Sequence, residues 1–235
     1  MNPTLIRAFL VQRLTSPLRM LFLASFILMP LLFVAAAPGI GYSPLEDSFW
    51  FVIVIGAGAI GQDVSTGVLQ LLLARPIRRA EYVTSRWLAI ALGASGASLL
   101  QLGLATAILS ARGAPPAWSD LAFALGHHVT VAFGAAASLV AFSALVAGLG
   151  DVGFMILLST AGQIVSSVAA GMGIGWLNSL GRGLHVAMGP GIEFRRLIAP
   201  APSWSEPLAY LSTLTIALVI AMAILDRREL SYASG

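Results

Sequence analysis

The sequence predicts an all-α, polytopic membrane protein: six transmembrane helices, an N-terminal amphipathic interfacial helix, and a short cytoplasmic helix between the second and third spans. Three observations carry that reading. Of 235 residues, 58% are hydrophobic and only 10% charged, where a soluble domain carries about 25% charged residues. Mean hydropathy is +0.90. Apolar runs recur along the chain near the roughly 20 residues that cross a ~30 Å hydrocarbon core. An extended segment in that core would leave backbone groups unpaired, so the runs are helices.

The elements follow in chain order. Over residues 1–19, Leu5, Ile6, Phe9, Leu10 and Leu14 recur at helical spacing, with Arg7, Gln12 and Arg13 on other faces. That pattern predicts a helix lying on an anionic inner leaflet. A cleaved leader is the alternative, because Ala35–Ala36–Ala37 follows an apolar run, but Pro38 directly after it argues for a retained first span. The spans are Met20–Ala37, Ser48–Gln70, Trp87–Ser110, Leu121–Gly148, Val152–Leu177 and Leu208–Leu225. The second has a polar latter half of Gln62, Asp63, Ser65 and Thr66, and Gly148–Leu149–Gly150–Asp151 makes a tight hairpin between the fourth and fifth. The chain is thus one membrane domain over 1–235: an interfacial helix (1–19), a six-span bundle (20–225) and a cytoplasmic tail (226–235).

Arginine placement orients the bundle. With both termini in the cytoplasm, nine of the thirteen basic residues lie inside: Arg7, Arg13, Arg19, Arg75, Arg78, Arg79, Arg86, Arg227 and Arg228. Arg112, Arg182, Arg195 and Arg196 lie outside. The location expected is a bacterial plasma (inner) membrane.

Absences bound the chemistry. There is no Cys, which excludes disulfides and thiolate sites. All basic residues are Arg, so the chain lacks the Lys of a P-loop and cannot be such an ATPase by itself. No catalytic, cofactor or metal set is expected in this chain. His127 and His128 point about 100° apart on a helix and read as interfacial anchors rather than paired ligands. Asp63 is the one acid that falls towards the inside of a span, either at the interface or as a substrate or proton site. Gln101 and Gln163 lie deep in the third and fifth spans, where Gln side chains hydrogen-bond between helices. Gly126, Thr130, Gly134 and Ser138 repeat every four residues, a ladder that lets another helix approach closely, within the subunit or between copies. The Gly- and Pro-rich segment 178–207 reads as short interfacial or re-entrant helices.

The most informative segment lies between the second and third spans. An apolar stretch, Val68–Ala74, stops before Pro76; a basic turn with Arg75, Arg78 and Arg79 follows, and Glu81 opens the next helix. Asp63, Gly67, Leu69, Leu71, Leu72, Leu73, Arg75, Pro76, Arg79, Glu81, Tyr82 and Arg86, with the basic-acidic ending Leu225–Leu230, resemble the pattern of type-2 ABC transporter permeases. The family often has Glu at the place of Asp63 and Lys at that of Arg86. The resemblance implies an exporter permease that forms its path as a homodimer or heterodimer in the bilayer. Separate ABC ATPase subunits carrying ATP and Mg would bind below; no nucleic acid is involved. It implies that Leu71, Leu72, Leu73, Arg75, Pro76, Arg78, Arg79, Glu81 and Tyr82 form the ATPase-coupling helix and turn, with Asp63 and Gly67 coupling or gating at the inner end of the second span. The competing readings are a self-contained ion-coupled carrier and a non-transporting scaffold or immunity protein.

Overall fold

Apolar residues at helical spacing make almost every described segment helical. The computed structural model describes residues 3–37, 42, 45, 48–69, 78–146, 148–198 and 204–232, with side chains described through 227. The helices are α1 (Pro3–Leu14), α2 (Pro17–Ala36), α3 (Ser48–Gly56), α4 (Gly61–Ser65), α5 (Arg79–Ala111), α6 (Trp118–Leu145), α7 (Gly150–Gly171), α8 (Gly175–Met188), α9 (Phe194–Leu197) and α10 (Ser205–Tyr232). Proline opens both α1 and α2, where its missing N–H would have had no partner anyway. Six stretches are long and apolar enough to cross a membrane: α2, α3 with α4, α5, α6, α7, and α10 as far as Arg227. The chain is therefore a multi-pass membrane protein.

Two spans differ from the sequence reading. The second is broken: α3 ends at Gly56, Ala57–Ile60 form a turn with Gly58 at φ +68°, and α4 then resumes. The fifth ends at Gly171 rather than Leu177, because Gly173 at φ +70° reverses the chain. Only glycine adopts that conformation without strain.

The centre of the bundle is α6, which touches α3, α5, α7, α8 and α10. Its mid-section of Gly134, Ala135, Ala136, Ala137 and Ser138 has almost no side-chain bulk, so neighbours approach from every side. Aromatic contacts add to this: the Trp87 indole donates to the Phe133 carbonyl at 2.9 Å, and Phe26 stacks on Trp50 at 5.4 Å. Gln101, fully buried, donates to the Phe26 carbonyl of α2, and the Ser48 and Ser98 hydroxyls meet at 2.6 Å. Gln163 is exposed, so the two glutamines do not meet.

The segment after α7 doubles back. Helix α8 runs antiparallel along α7, and the two backbones touch at Gly162 and Gly181. Its fourteen residues are about 21 Å long, short of the ~30 Å of a full crossing. An extended limb then returns along α6, and the four-residue ladder meets it rung by rung. Ser138 donates to the Ala187 carbonyl, and Gly134 faces the Pro190 carbonyl. The Thr130 hydroxyl accepts the Ile192 amide, and Gly126 faces the Phe194 ring. The ladder thus packs the end of α8, the extended limb and the start of α9, all of the same chain. His128, expected at an interface, is buried, and His127 faces Gly191 in the limb.

Two glycines of α8 separate packing from propensity. A Cβ on Gly181 would lie 2.5 Å from the Ser166 nitrogen, whereas one on Gly183 meets nothing within 4 Å. Gly181→Ala is expected to destabilise by about 1–3 kcal/mol through overpacking. Gly183→Ala is expected to stabilise by up to about 1 kcal/mol through helix propensity. Thermal unfolding of the two variants in detergent should move in opposite directions.

Candidate functional site

The break in the second span frees backbone groups inside an apolar bundle, and charged side chains from three other helices take them. From α1, Arg13 donates to the carbonyls of Ala57 at 2.5 Å and Gly58 at 3.0 Å. Arg19, at the start of α2, reaches the Ala57 carbonyl at 3.3 Å. From α7, the Asp151 carboxylate accepts the Gly58 amide at 2.9 Å. From α6, the Ser143 hydroxyl accepts the amides of Ile60 at 2.8 Å and Gly61 at 2.9 Å and donates to Asp151. One donor and two acceptors exhaust that hydroxyl. The Gly148 amide closes the ring on the Gly61 carbonyl at 2.8 Å. Gly61 must be glycine, since a Cβ there would lie 2.6 Å from two carbonyl oxygens.

Arg13, Ser143 and Asp151 are all within 2% of complete burial. Burial, with Arg19 and Arg86 nearby, lowers the Arg13 pKa to about 10, which leaves it charged at neutral pH. The sequence puts Arg13 on a face other than the apolar one of the interfacial helix; the structure buries it. Leu5, Phe9 and Arg13 are four residues apart, so they share one stripe, and Phe9 is buried with Arg13.

Beside this ring is a second cluster. Asp63, on α4, accepts hydrogen bonds from the Tyr82 hydroxyl at 2.5 Å and from Arg86, both on α5. The Asp63–Arg86 ion pair is 14% and 13% exposed respectively. Phe9 lies between two guanidinium groups, with Arg86 at 4.3 Å and Arg13 at 4.7 Å from its ring centre. The two clusters thus share Phe9. A cavity of about 860 Å³ opens next to them between α1 and α4, with Gln12, Asp63, Thr66 and Tyr82 in its wall.

The remaining expected site residues divide. Leu71, Leu72, Leu73, Arg75 and Pro76 lie outside the described residues. Arg78 precedes α5 and is exposed, Arg79 pairs with Asp226 of α10 at 2.8 Å, and Glu81 is half-buried in the first turn of α5. Gly67 ends the α4 region at φ +72° with open space around it. Tyr82 is 2% exposed, so it holds Asp63 rather than offering a contact surface. Arg13, Ser143 and Asp151 were not singled out for a site. In the sequence Asp151 is marked only as part of the Gly148–Asp151 hairpin, and only the spacing of Arg13 from Phe9 points inward. Among the described residues, no group of three or more His, Asp or Glu side chains could hold a metal ion.

At the other end of the bundle, Arg195 pairs with Asp120 and Arg196 with Glu206 and Glu193. Those pairs are exposed and add little to stability. Between the two ends, Gln163 of α7 and Arg182 of α8 are exposed, while His185 of α8 lies against α7 at Gly162. The His185 ring meets the Ser159 hydroxyl at 2.9 Å. No protein-family model, curated protein or solved structure matches the chain.

The ring around the break has a measurable weight. Arg13→Met would remove the shorter bonds to the Ala57 and Gly58 carbonyls, leaving them only Arg19 and the Gln62 amide at 3.3 Å, and would take a buried cation from beside Asp151, a loss of up to about 3–5 kcal/mol by analogy with broken buried pairs. Ser143→Ala would strand two amides at about 1–3 kcal/mol each. Arg7→Met, an exposed site on the same helix, should change stability by less than about 0.5 kcal/mol. Equilibrium unfolding in detergent, compared across the three variants, checks the order.

Proposed function

We propose that the chain is the membrane-spanning permease subunit of an ATP-driven exporter of the type-2 ABC class, paired with a second permease copy and with separate ATPase subunits. The observation that carries this reading is the cluster at Asp63. Asp63 precedes the apolar-basic segment of residues 66–78, and Tyr82 and Arg86 follow it; the three are bonded together. A force applied to that segment by a partner would pull α4 and α5 as one piece. Helix α4 lies between Gly58, held in the hydrogen-bonded ring, and Gly67, at φ +72° with open space around it, so Gly67 is its pivot. Through the break it is tied to Arg13, Ser143 and Asp151, so its displacement would reach α1, α6 and α7.

The hairpin of α7 and α8 supports the dimeric part of the reading. Arg182 is about 10 Å along α8 from its start and is exposed, as is Gln163 of α7. A charged side chain left facing lipid at depth costs about 2.5–3.5 kcal/mol, so such faces line a path or an interface. In this account the basic residues Arg78 and Arg79 meet acids on the ATPase, and the ATP and Mg are held there. The chain itself catalyses no reaction. The membrane is expected to be a bacterial inner membrane, with both termini in the cytoplasm.

A self-contained ion-coupled carrier is the second reading, favoured by the discontinuous second span beside the buried Asp151. Against it, the backbone groups freed at the break are taken by Arg13, Ser143, Asp151 and Gly148.

Two measurements separate the readings. A mild-detergent pull-down of the tagged chain from its native membranes should recover an ATPase with Walker motifs in about equal amount; a clean single-chain species would reject the permease reading. In the recovered complex, Asp63→Asn should leave the ATPase bound while lowering transport-linked ATPase activity about tenfold or more, the loss of one hydrogen-bonded charge pair. Unchanged coupling would remove Asp63 from the account.

A further inference from the structure

A groove on the outside of the bundle runs from α1 down between α2 and α5. Its walls are Leu10 of α1, Leu23 and Ile27 of α2, and Leu100 of α5; its floor includes Gly96 and Ala97. It encloses about 580 Å³ and is almost wholly apolar in its lining. At the α1 end it continues into a second hollow of about 570 Å³ that shares Leu10 and has Arg7 and Thr15 at its rim. Arg7 is exposed and has no acidic partner among the described residues.

Length, polarity and charge together select the occupant. The groove follows α5 from Leu92 to Leu104, a rise of about 18 Å. That is close to one leaflet, half of the ~30 Å hydrocarbon core. The apolar part is open to the bilayer side, and Arg7, with no acidic partner among the described residues, sits at its mouth, where a headgroup would lie. A water-filled groove of this lining is excluded by its lack of polar partners. We propose that this groove binds one acyl chain of an anionic phospholipid, with the phosphate at Arg7 and the tail against Gly96 and Leu100. The site lies apart from the Asp63 cluster, and it stands whether or not the chain is a permease.

Occupancy would also matter for the buried ring. Ile55, at the end of α3 just before the break, lines the same groove as Leu10, three residues before Arg13 on α1. A bound tail therefore bridges α1, α3 and α5 and holds α1 where Arg13 reaches the break.

The test uses the full chain in detergent, with phosphatidylglycerol and phosphatidylcholine of equal chain length as competing probes and native mass spectrometry as readout. The wild type should retain one lipid per chain and prefer phosphatidylglycerol about fivefold, the worth of one Arg at an anionic lipid. Gly96→Leu fills the floor, where a Cβ meets nothing within 4 Å, so it should lose both lipids while its unfolding temperature without lipid stays within a few degrees. Arg7→Gln should keep a bound lipid but bind the two probes equally. Retention of lipid by Gly96→Leu would overturn the proposal, as would a wild type without headgroup preference. A second copy of the chain found cross-linked through Leu100 would overturn it as well, since the groove would then be a subunit interface.

Discussion

A backbone group released inside an apolar bundle has no water to fall back on, and the turn at Ala57–Ile60 releases several at once. Everything around the turn follows from that. Two carbonyls need donors that can reach them together, and the Arg13 guanidinium supplies a fork of them. The amides of Gly58, Ile60 and Gly61 need acceptors, and Asp151 and Ser143 supply them. A buried Arg without an acid would itself be costly, so the presence of Asp151 on the far side of the same turn is part of one solution. The second span is thereby fastened to α1, α6 and α7 by polar contacts, where most of the bundle is held by packing alone.

Packing obeys a different constraint, the lack of a hydrophobic driving force between helices in lipid. Close approach of backbones replaces it. Gly162 against Gly181 lets α8 lie directly on α7, and Gly134 lets the return limb lie directly on α6. Where the limb is extended its backbone needs partners, and Thr130 takes the Ile192 amide, while two rungs away Ser138 takes the Ala187 carbonyl in the last turn of α8. Small residues and hydroxyls on one helix face thus do two jobs: they make room for non-helical chain and satisfy it.

How much of this was legible in the sequence depended on the kind of signal. Six spans were legible because long apolar runs admit few other structures. The break was not, because Ala57–Ile60 is as apolar as its surroundings, and only Gly58 marks it. The end of the fifth span was misplaced for the same reason: Gly171–Leu177 is uncharged and apolar, and the reversal at Gly173 depends on backbone conformation rather than polarity. The ladder at Gly126, Thr130, Gly134 and Ser138 was legible as a place of close approach, but nothing in a small residue says whether helical or extended chain will approach it. Asp63 stood out by position, and its partners Tyr82 and Arg86 were among the residues singled out, though not their mutual contact. Arg13 and Asp151 were hidden because each had an ordinary surface explanation, and only the i, i+4 register of Arg13 with Phe9 argued otherwise.

The non-helical turn in the second span is locked by side chains from α1, α6 and α7. Amide hydrogen exchange of the peptide covering residues 56–62, with the chain in lipid nanodiscs, measures that lock. The account predicts slow exchange at Gly58, Ile60 and Gly61, comparable with the interior of α6, and fast exchange at the same amides in Arg13→Met and Ser143→Ala. Fast exchange in the unmodified protein, or slow exchange that neither variant disturbs, would contradict it.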